Sequence, residues 1–416
     1  MNRREFFKKT LGASTLLAFG CAAPNFLLRS AAAASPSRRR ETILVVIQLS
    51  GGNDGLNTVI PYENDIYHRR RPTLRITPDK VLKLGNGLGL HPDMQGFQRL
   101  YDEGHLAIVQ GVGYTHNNRN HDGAMRDWHT AKPKDPTATT GWIGQALDFY
   151  TEKNFSTPGG VFVGHIEPPF ALQSKKAIVP KVQTAGDWAP VYHGKTADTF
   201  AGLLEASSQN ESQDEFLDEI RQVTLQTLRA SKRIESVAGP SAPDAAVYPQ
   251  YRLAQTLRTI AQLIRAELGV RIFFAELGGG GIGGFDTHAG QAANHGALLR
   301  ELSESVTSFA HDLEKDKLLE CVLLMTFSEF GRTLTENGRH GTNHGSAAPL
   351  FLVGGALKKR LMGVHPRLDD LEEDAPKPHT DFRRVYATAL ENWLGIESRL
   401  VLGESFAPLE GLLGSV

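Results

Sequence analysis

Two kinds of apolar pattern alternate along this chain. Continuous apolar runs stopped by glycine mark strands buried on both faces, as in ETILVVIQLSG (41–51). HLAIVQGVG (105–113), VRIFFAEL (270–277) and CVLLMTFS (321–328) read the same way. Gly160 to Val163 and Ala177 to Val182 suggest shorter strands. Other stretches repeat apolar residues at i, i+3 and i+4, the mark of an amphipathic helix. LAQTLRTIAQLIRAEL (253–268) and HGALLRELSESVTSFAHDLEKD (295–316) are of this kind. DMQGFQRLYDEG ends on Gly104 and FRRVYATALENWLG on Gly395, each suited to a helix C-cap. The alternation predicts an α/β fold, a three-layer sandwich with a mostly parallel central sheet. Residues 205–250 break the pattern with a polar stretch and a helical one before GPSAPDAAVYP. They read as a helical insertion in a single domain spanning 41–414.

The first 34 residues follow a different order: a basic start with Arg3 and Arg4, the apolar stretch LGASTLLAFGCAAPNFLL, then small residues in SAAAAS. This predicts an export signal of the twin-arginine pattern, cut near Ala33 or Ala34, and a periplasmic or extracellular destination. Gly12, Gly20 and Pro24 interrupt the apolar stretch, so no stable membrane span is expected. Cys21 has a faint lipidation context, which Phe19 fits poorly. Removing residues 1–34 takes out Arg3, Arg4, Lys8, Lys9 and Arg29 against Glu5, and turns a balance of 45 basic and 46 acidic side chains into about −5. No basic field remains to hold nucleic acid. The two cysteines, Cys21 and Cys321, suggest no disulfide; Cys321 reads as a small apolar residue opening a strand.

Chemistry-bearing residues gather at the ends of the apolar runs. Asp54 follows the first, Asp286 and His288 follow the run ending at Leu277, and Glu329 follows CVLLMTFS. His340 and His344 precede APLFLVGG. In an open α/β sheet ligands bind outside the carboxyl ends of the strands, and converging carboxylates and imidazoles hold divalent metals. Asp286 and His288, two apart, point the same way in an extended segment. His295 and His340 are secondary ligand candidates. Each has a plainer reading: Asp54 as a turn residue, Glu329 and Arg332 as a local ion pair. In the polar loop 115–122, Arg119 suits an anionic oxygen and His121 suits proton donation to a leaving group.

The pieces LSGGNDGLNTVIPY, NNRNHDGA, GWIG, GGFDTHAGQ, TFSEFGRT and GTNHGSAAPLFLVGG, in this order, resemble the exported bacterial family known as domain of unknown function 1501. That family is grouped with the alkaline phosphatase and sulfatase superfamily. The resemblance implies an alkaline phosphatase-like sandwich with a two-metal site. It implies one ion, zinc, manganese or calcium, on Asp54, position 120 and Glu329, and another on Asp286, His288 and His344; a single ion is the lesser alternative. Two positions depart from the pattern. Asn120 stands where relatives carry serine, and an amide cannot serve as a hydroxyl nucleophile; Thr115 is a weak substitute. Asn343 stands where relatives often carry aspartate. The expectation is an exported metal-dependent hydrolase of phosphate or sulfate esters, with a small anionic ester or glycan as substrate. The alternative is a pseudoenzyme or binding protein on the same fold.

Overall fold

The computed structural model describes residues 41–133, 135–153, 159–185, 248–279 and 284–414. The expected export segment, and the expected insertion up to residue 247, lie outside these residues. The central sheet contains β1 (Ile43–Leu49), β2 (Leu106–Gly113), β3 (Gly160–Val163), β4 (Lys181–Val182), β5 (Ile272–Leu277), β6 (Val322–Phe327), β7 (Ala348–Gly354) and β8 (Leu361–Met362). Their spatial order is β8-β2-β7-β6-β1-β5-β3-β4. β1 pairs in parallel with both β5 and β6. β7 is the exception, antiparallel to both its neighbours, so the sheet is mostly parallel, as the apolar runs suggest.

The helices that cover the sheet include α1 (Gln95–Glu103), α2 (His121–Thr130), α3 (Trp142–Lys153), α4 (Arg252–Arg265), α5 (Gln291–Lys315) and α6 (Phe382–Ala387), which runs on into a π-helical stretch, Thr388–Leu394. Alternate residues of β1 face opposite layers. Val45, Ile47 and Leu49 pack with α1, α4 and α5 through Phe97, Leu257 and Leu302. Leu44 and Val46 face the core built by α2, α3 and α6 through Trp128, Ile143 and Tyr386. Covering both faces is what a sheet of continuous apolar runs requires. Gly104 (φ 85°) terminates α1, and Gly395 (φ 70°) terminates the π-helical stretch Thr388–Leu394, both in the left-handed conformation. Helix α5 begins at Gln291, four residues before the stretch whose periodicity marks it. The expected strand at 177–182 is confined to Lys181–Val182. Cys321 is buried, its thiol donating to the Leu318 carbonyl at 3.1 Å.

Candidate functional site

The site sits where the carboxyl ends of β1, β5 and β6 meet the N-terminus of α2. Gly51 (φ +117°) and Gly52 (φ +81°) let the chain leave β1 flat against the loop after β5. A Cβ on Gly51 would lie 2.4 Å from the Asp286 nitrogen, so a side chain there would push the two loops apart.

Asp286 is the centre of a ring of donors. Its Oδ1 lies 2.7 Å from Arg332 Nη2, 3.0 Å from His288 Nε2, 3.2 Å from His344 Nε2 and 3.4 Å from His121 Nε2. Partial burial opposes ionisation, but the Arg332 guanidinium and the histidines outweigh it and hold the carboxyl down at about 2. The Nε2 atoms of His288 and His344 face each other at 2.9 Å. Two protons cannot occupy that gap, so at least one of these nitrogens presents a lone pair.

Two of the other ring nitrogens are held from behind. His344 Nδ1 lies 2.7 Å from the Arg119 carbonyl, an acceptor only, so that nitrogen donates and Nε2 faces the cluster. His121 Nδ1 lies 2.9 Å from Glu329 Oε1, and the Asn343 side chain sits beside His288 and favours its charged form. His121 Nε2 is buried and makes no hydrogen bond among the described residues. Glu329 raises the pKa of His121, whereas burial lowers that of His288. Phe330 closes one wall, its ring 4.7 Å from His344 and 5.0 Å from His121. Ligand atoms of His121, Asp286 and His344 all lie within 4.8 Å of one another, close enough to hold one metal ion.

Of the residues marked by sequence, Asp286, His288, His344, His121 and Glu329 come together, with Glu329 behind His121. Glu329 is 2% exposed, and its Oε1 also accepts from the Gly51 amide at 2.8 Å while Oε2 accepts from Ser328 Oγ at 3.0 Å. The plainer reading of Glu329 with Arg332 does not hold, since Arg332 turns to Asp286 and to backbone carbonyls.

Three expectations are corrected by the geometry. Asp54 does not reach the donor ring. It is wholly buried, both its oxygens accept from Arg71 (2.6 and 2.9 Å), and Gln291 donates to Oδ2. Desolvation works against its charge, but Arg71 prevails and its pKa is lowered. Arg119 points its guanidinium away, to Glu373 Oε2 (3.0 Å) and the Glu372 carbonyl (2.8 Å); only its own carbonyl touches the site. Asn120 is the N-cap of α2, its Oδ1 accepting from the amides of Asp122 (3.1 Å) and Gly123 (3.4 Å). Its contribution is to start the helix that presents His121. His295 and His340 also stand apart. Burial pushes His295 down to about 3, beside Asn53 Oδ1 at 3.0 Å, and His340 Nδ1 meets Thr73 Oγ1 at 3.1 Å.

Two arginines were not marked. Arg71 sits in the run Arg69-Arg70-Arg71, and nothing local distinguishes the one that is buried. Its five N–H groups reach five acceptors: Leu334 O, Asn57 Oδ1, Thr333 O and both Asp54 oxygens. Arg332 was read only as a local partner for Glu329.

Comparison with known proteins adds the following. The profile of the family described as "Protein of unknown function (DUF1501)" matches residues 41–404. No curated protein matches the chain. Similar solved structures include the zinc complex of the C-terminal periplasmic domain of EcEptC from Escherichia coli, at 9% identity and TM-score 0.38 over 76% of this chain and 74% of that one. The lipoteichoic acid synthase LtaP from Listeria monocytogenes matches at 8% identity and TM-score 0.34, over 81% of this chain and 71% of that one. Alkaline phosphatase from the Antarctic bacterium TAB5 matches at 9% identity and TM-score 0.33, over 76% and 92%.

Proposed function

The chain belongs to the DUF1501 family, and from that premise we propose that it is an exported hydrolase of phosphate or sulfate esters that depends on a divalent metal held by His121, Asp286, His288 and His344. The observation that carries this reading is the convergence of three imidazole Nε2 atoms on one carboxylate oxygen, with the His121 and His344 rings fixed from behind. Hydrogen bonds to the far nitrogen are how proteins orient metal-binding histidines and set their tautomer. The unpartnered, buried His121 Nε2 fits a ligand atom better than a structural one. A nitrogen-rich set suits zinc better than manganese or calcium, which prefer oxygen. The donors suit one ion. The second ion of the superfamily pattern would need Asp54 and Glu329, and both are committed to Arg71, Gly51, Ser328 and His121.

When bound, the metal supplies Lewis-acid polarisation of an ester oxygen. The protein's own residues do the rest. Arg332 fixes Asp286 and offsets its charge, Glu329 sets the tautomer of His121, the Arg119 carbonyl sets that of His344, and Phe330 shields one side of the cluster. We assign the activity to the periplasm or exterior on the strength of residues 1–34.

Elemental analysis of protein purified without chelators, alongside an aryl phosphate and sulfate assay, tests the reading. Wild type should carry about one equivalent of metal, and Asp286→Ala and His344→Ala should lose both metal and turnover. Metal content unchanged in those variants would overturn it. The rival reading, a binding protein without turnover, is favoured by Asn120, whose amide caps α2 where the family pattern has a hydroxyl. Saturable anion binding with no hydrolysis across an ester panel would select it.

A further inference from the structure

If the protein hydrolyses esters, Asn120 leaves open which group attacks. The carboxyl end of β1 offers a hydroxyl. Ser50 is the residue after β1, half-buried, one position before Gly51. The Gly51 amide donates to the same Glu329 oxygen that His121 contacts. The Ser50 carbonyl accepts from the Phe285 amide at 2.9 Å, next to Asp286. Consecutive Cα atoms are about 3.8 Å apart, so Ser50 stands within a residue or two of groups flanking the donor ring, Phe285 in the loop after β5 and Glu329 just after β6.

Its hydroxyl is tied into a line of polar groups under α2. His129, near the C-terminal end of α2, contacts Gln48 Oε1 through Nε2 at 2.6 Å. Gln48 Nε2 donates to Ser50 Oγ at 2.8 Å. The Ser50 side chain also lies beside the Glu276 carboxylate and favours its charged form, and Glu276 stands opposite Gln48 in the β1–β5 pairing. Helix α2 therefore spans from His121 over Glu329 to His129 over Gln48, and Ser50 sits between the two tethers. Glu276 Oε1 is buried with no hydrogen-bond partner among the described residues. A buried carboxylate oxygen with nothing to accept from is costly unless it has a role. Burial also raises the Glu276 pKa, which improves its strength as a proton acceptor.

We propose that Ser50 is the nucleophile of the candidate site and Glu276 its general base. This rests on the ester-hydrolase reading above. In the first step Ser50 Oγ bonds to phosphorus or sulfur, the ester bond to the leaving oxygen breaks, and the hydroxyl proton passes to Glu276. In the second, water bonds to the same centre, the bond to Ser50 Oγ breaks, and Ser50 recovers its proton from Glu276. The proton shed by the water goes through solvent to the departed oxide. The sum is ester plus water to alcohol plus free anion.

The test treats the whole protein with a fluorophosphonate probe, maps the adduct by peptide mass spectrometry, and measures aryl phosphate and sulfate turnover and metal content in parallel. We expect one adduct, on Ser50, formed at least tenfold more slowly in Glu276→Gln. Ser50→Ala should lose the adduct and at least a hundredfold of turnover while keeping its metal. Turnover with Ser50 unlabelled, or Ser50→Ala within twofold of wild type, overturns the proposal and leaves the hydrolase reading standing. An adduct on Ser50 in a protein that cleaves neither ester keeps the nucleophile and removes the hydrolase reading. Neither adduct nor turnover removes both. The labelling of unmutated protein decides even if Ser50→Ala fails to fold.

Discussion

Lowering the pH from 7 to 5 should destabilise this fold by several kcal/mol through its buried histidines. His129 and His295 are 6% and 1% exposed, and burial pushes each down to about 3. In the unfolded chain a histidine titrates near 6.5. Between those values the unfolded state binds protons that the folded state refuses. The stability tied to each neutral ring is therefore complete above about 6.5 and drains away as pH falls toward about 3. At pH 5 the gap is 1.5 units, or about 2 kcal/mol per ring at roughly 1.36 kcal/mol per unit, and about 4 kcal/mol for the pair. Burial also lowers His91, His288 and His365, which add to the loss. His121, raised by Glu329, and Glu276, raised by burial, work in the opposite direction. Asp54 and Asp286 are lowered, so the stability they contribute persists until well below pH 5. A typical domain has only about 5–15 kcal/mol in hand, so the effect is large. Urea unfolding at pH 7, 6 and 5, in chelator to keep the cluster free of metal, measures it. His129→Gln keeps a hydrogen-bonding group opposite Gln48 and should flatten the slope by about half. A wild-type stability flat from pH 7 to 5, or a slope that His129→Gln leaves untouched, would refute the claim that burial keeps these rings neutral.

Other expectations separate scaffold from site. Arg71→Met strands a wholly buried Asp54 and should cost about 3–5 kcal/mol by denaturant unfolding; a loss of metal in the folded remainder would contradict the placement of Asp54 outside the cluster. Asn120→Ser should cap α2 about as well, leave stability within about 0.5 kcal/mol, and give no gain in ester turnover; a large gain would mean position 120 faces the reacting centre. Glu329→Gln should weaken metal affinity by about 10- to 100-fold in a chelator competition, because it frees the His121 ring.

The layers of this fold are written in the chain because each depends on local pattern. Residues 41–51 have no polar face, so they demand cover on both sides, and α2 and α5 provide it. The site was legible to the same depth. Asp286, His288, Glu329 and His344 each follow or precede an apolar run, and the sheet's geometry brings run ends together. Asp54 meets the same criterion and still falls elsewhere. What separates it is Arg71, seventeen residues on, in a run of three arginines of which only the structure says which turns inward. A buried guanidinium meets all five of its donors with acceptors from two separate segments, 54–57 and 333–334, and no local pattern encodes such an arrangement. Arg332 repeats the lesson from the other side: it sits beside Glu329 in sequence but pairs with Asp286. Each of the two aspartates at strand ends thus faces a fixed internal cation. Asp54 is consumed by its arginine, with both oxygens taken. Asp286 shares only Oδ1, remains 45% exposed on its side chain, and keeps three imidazoles beside it. How an arginine divides its donors, rather than where the acid stands in the chain, decides which carboxylate is left to bind anything else.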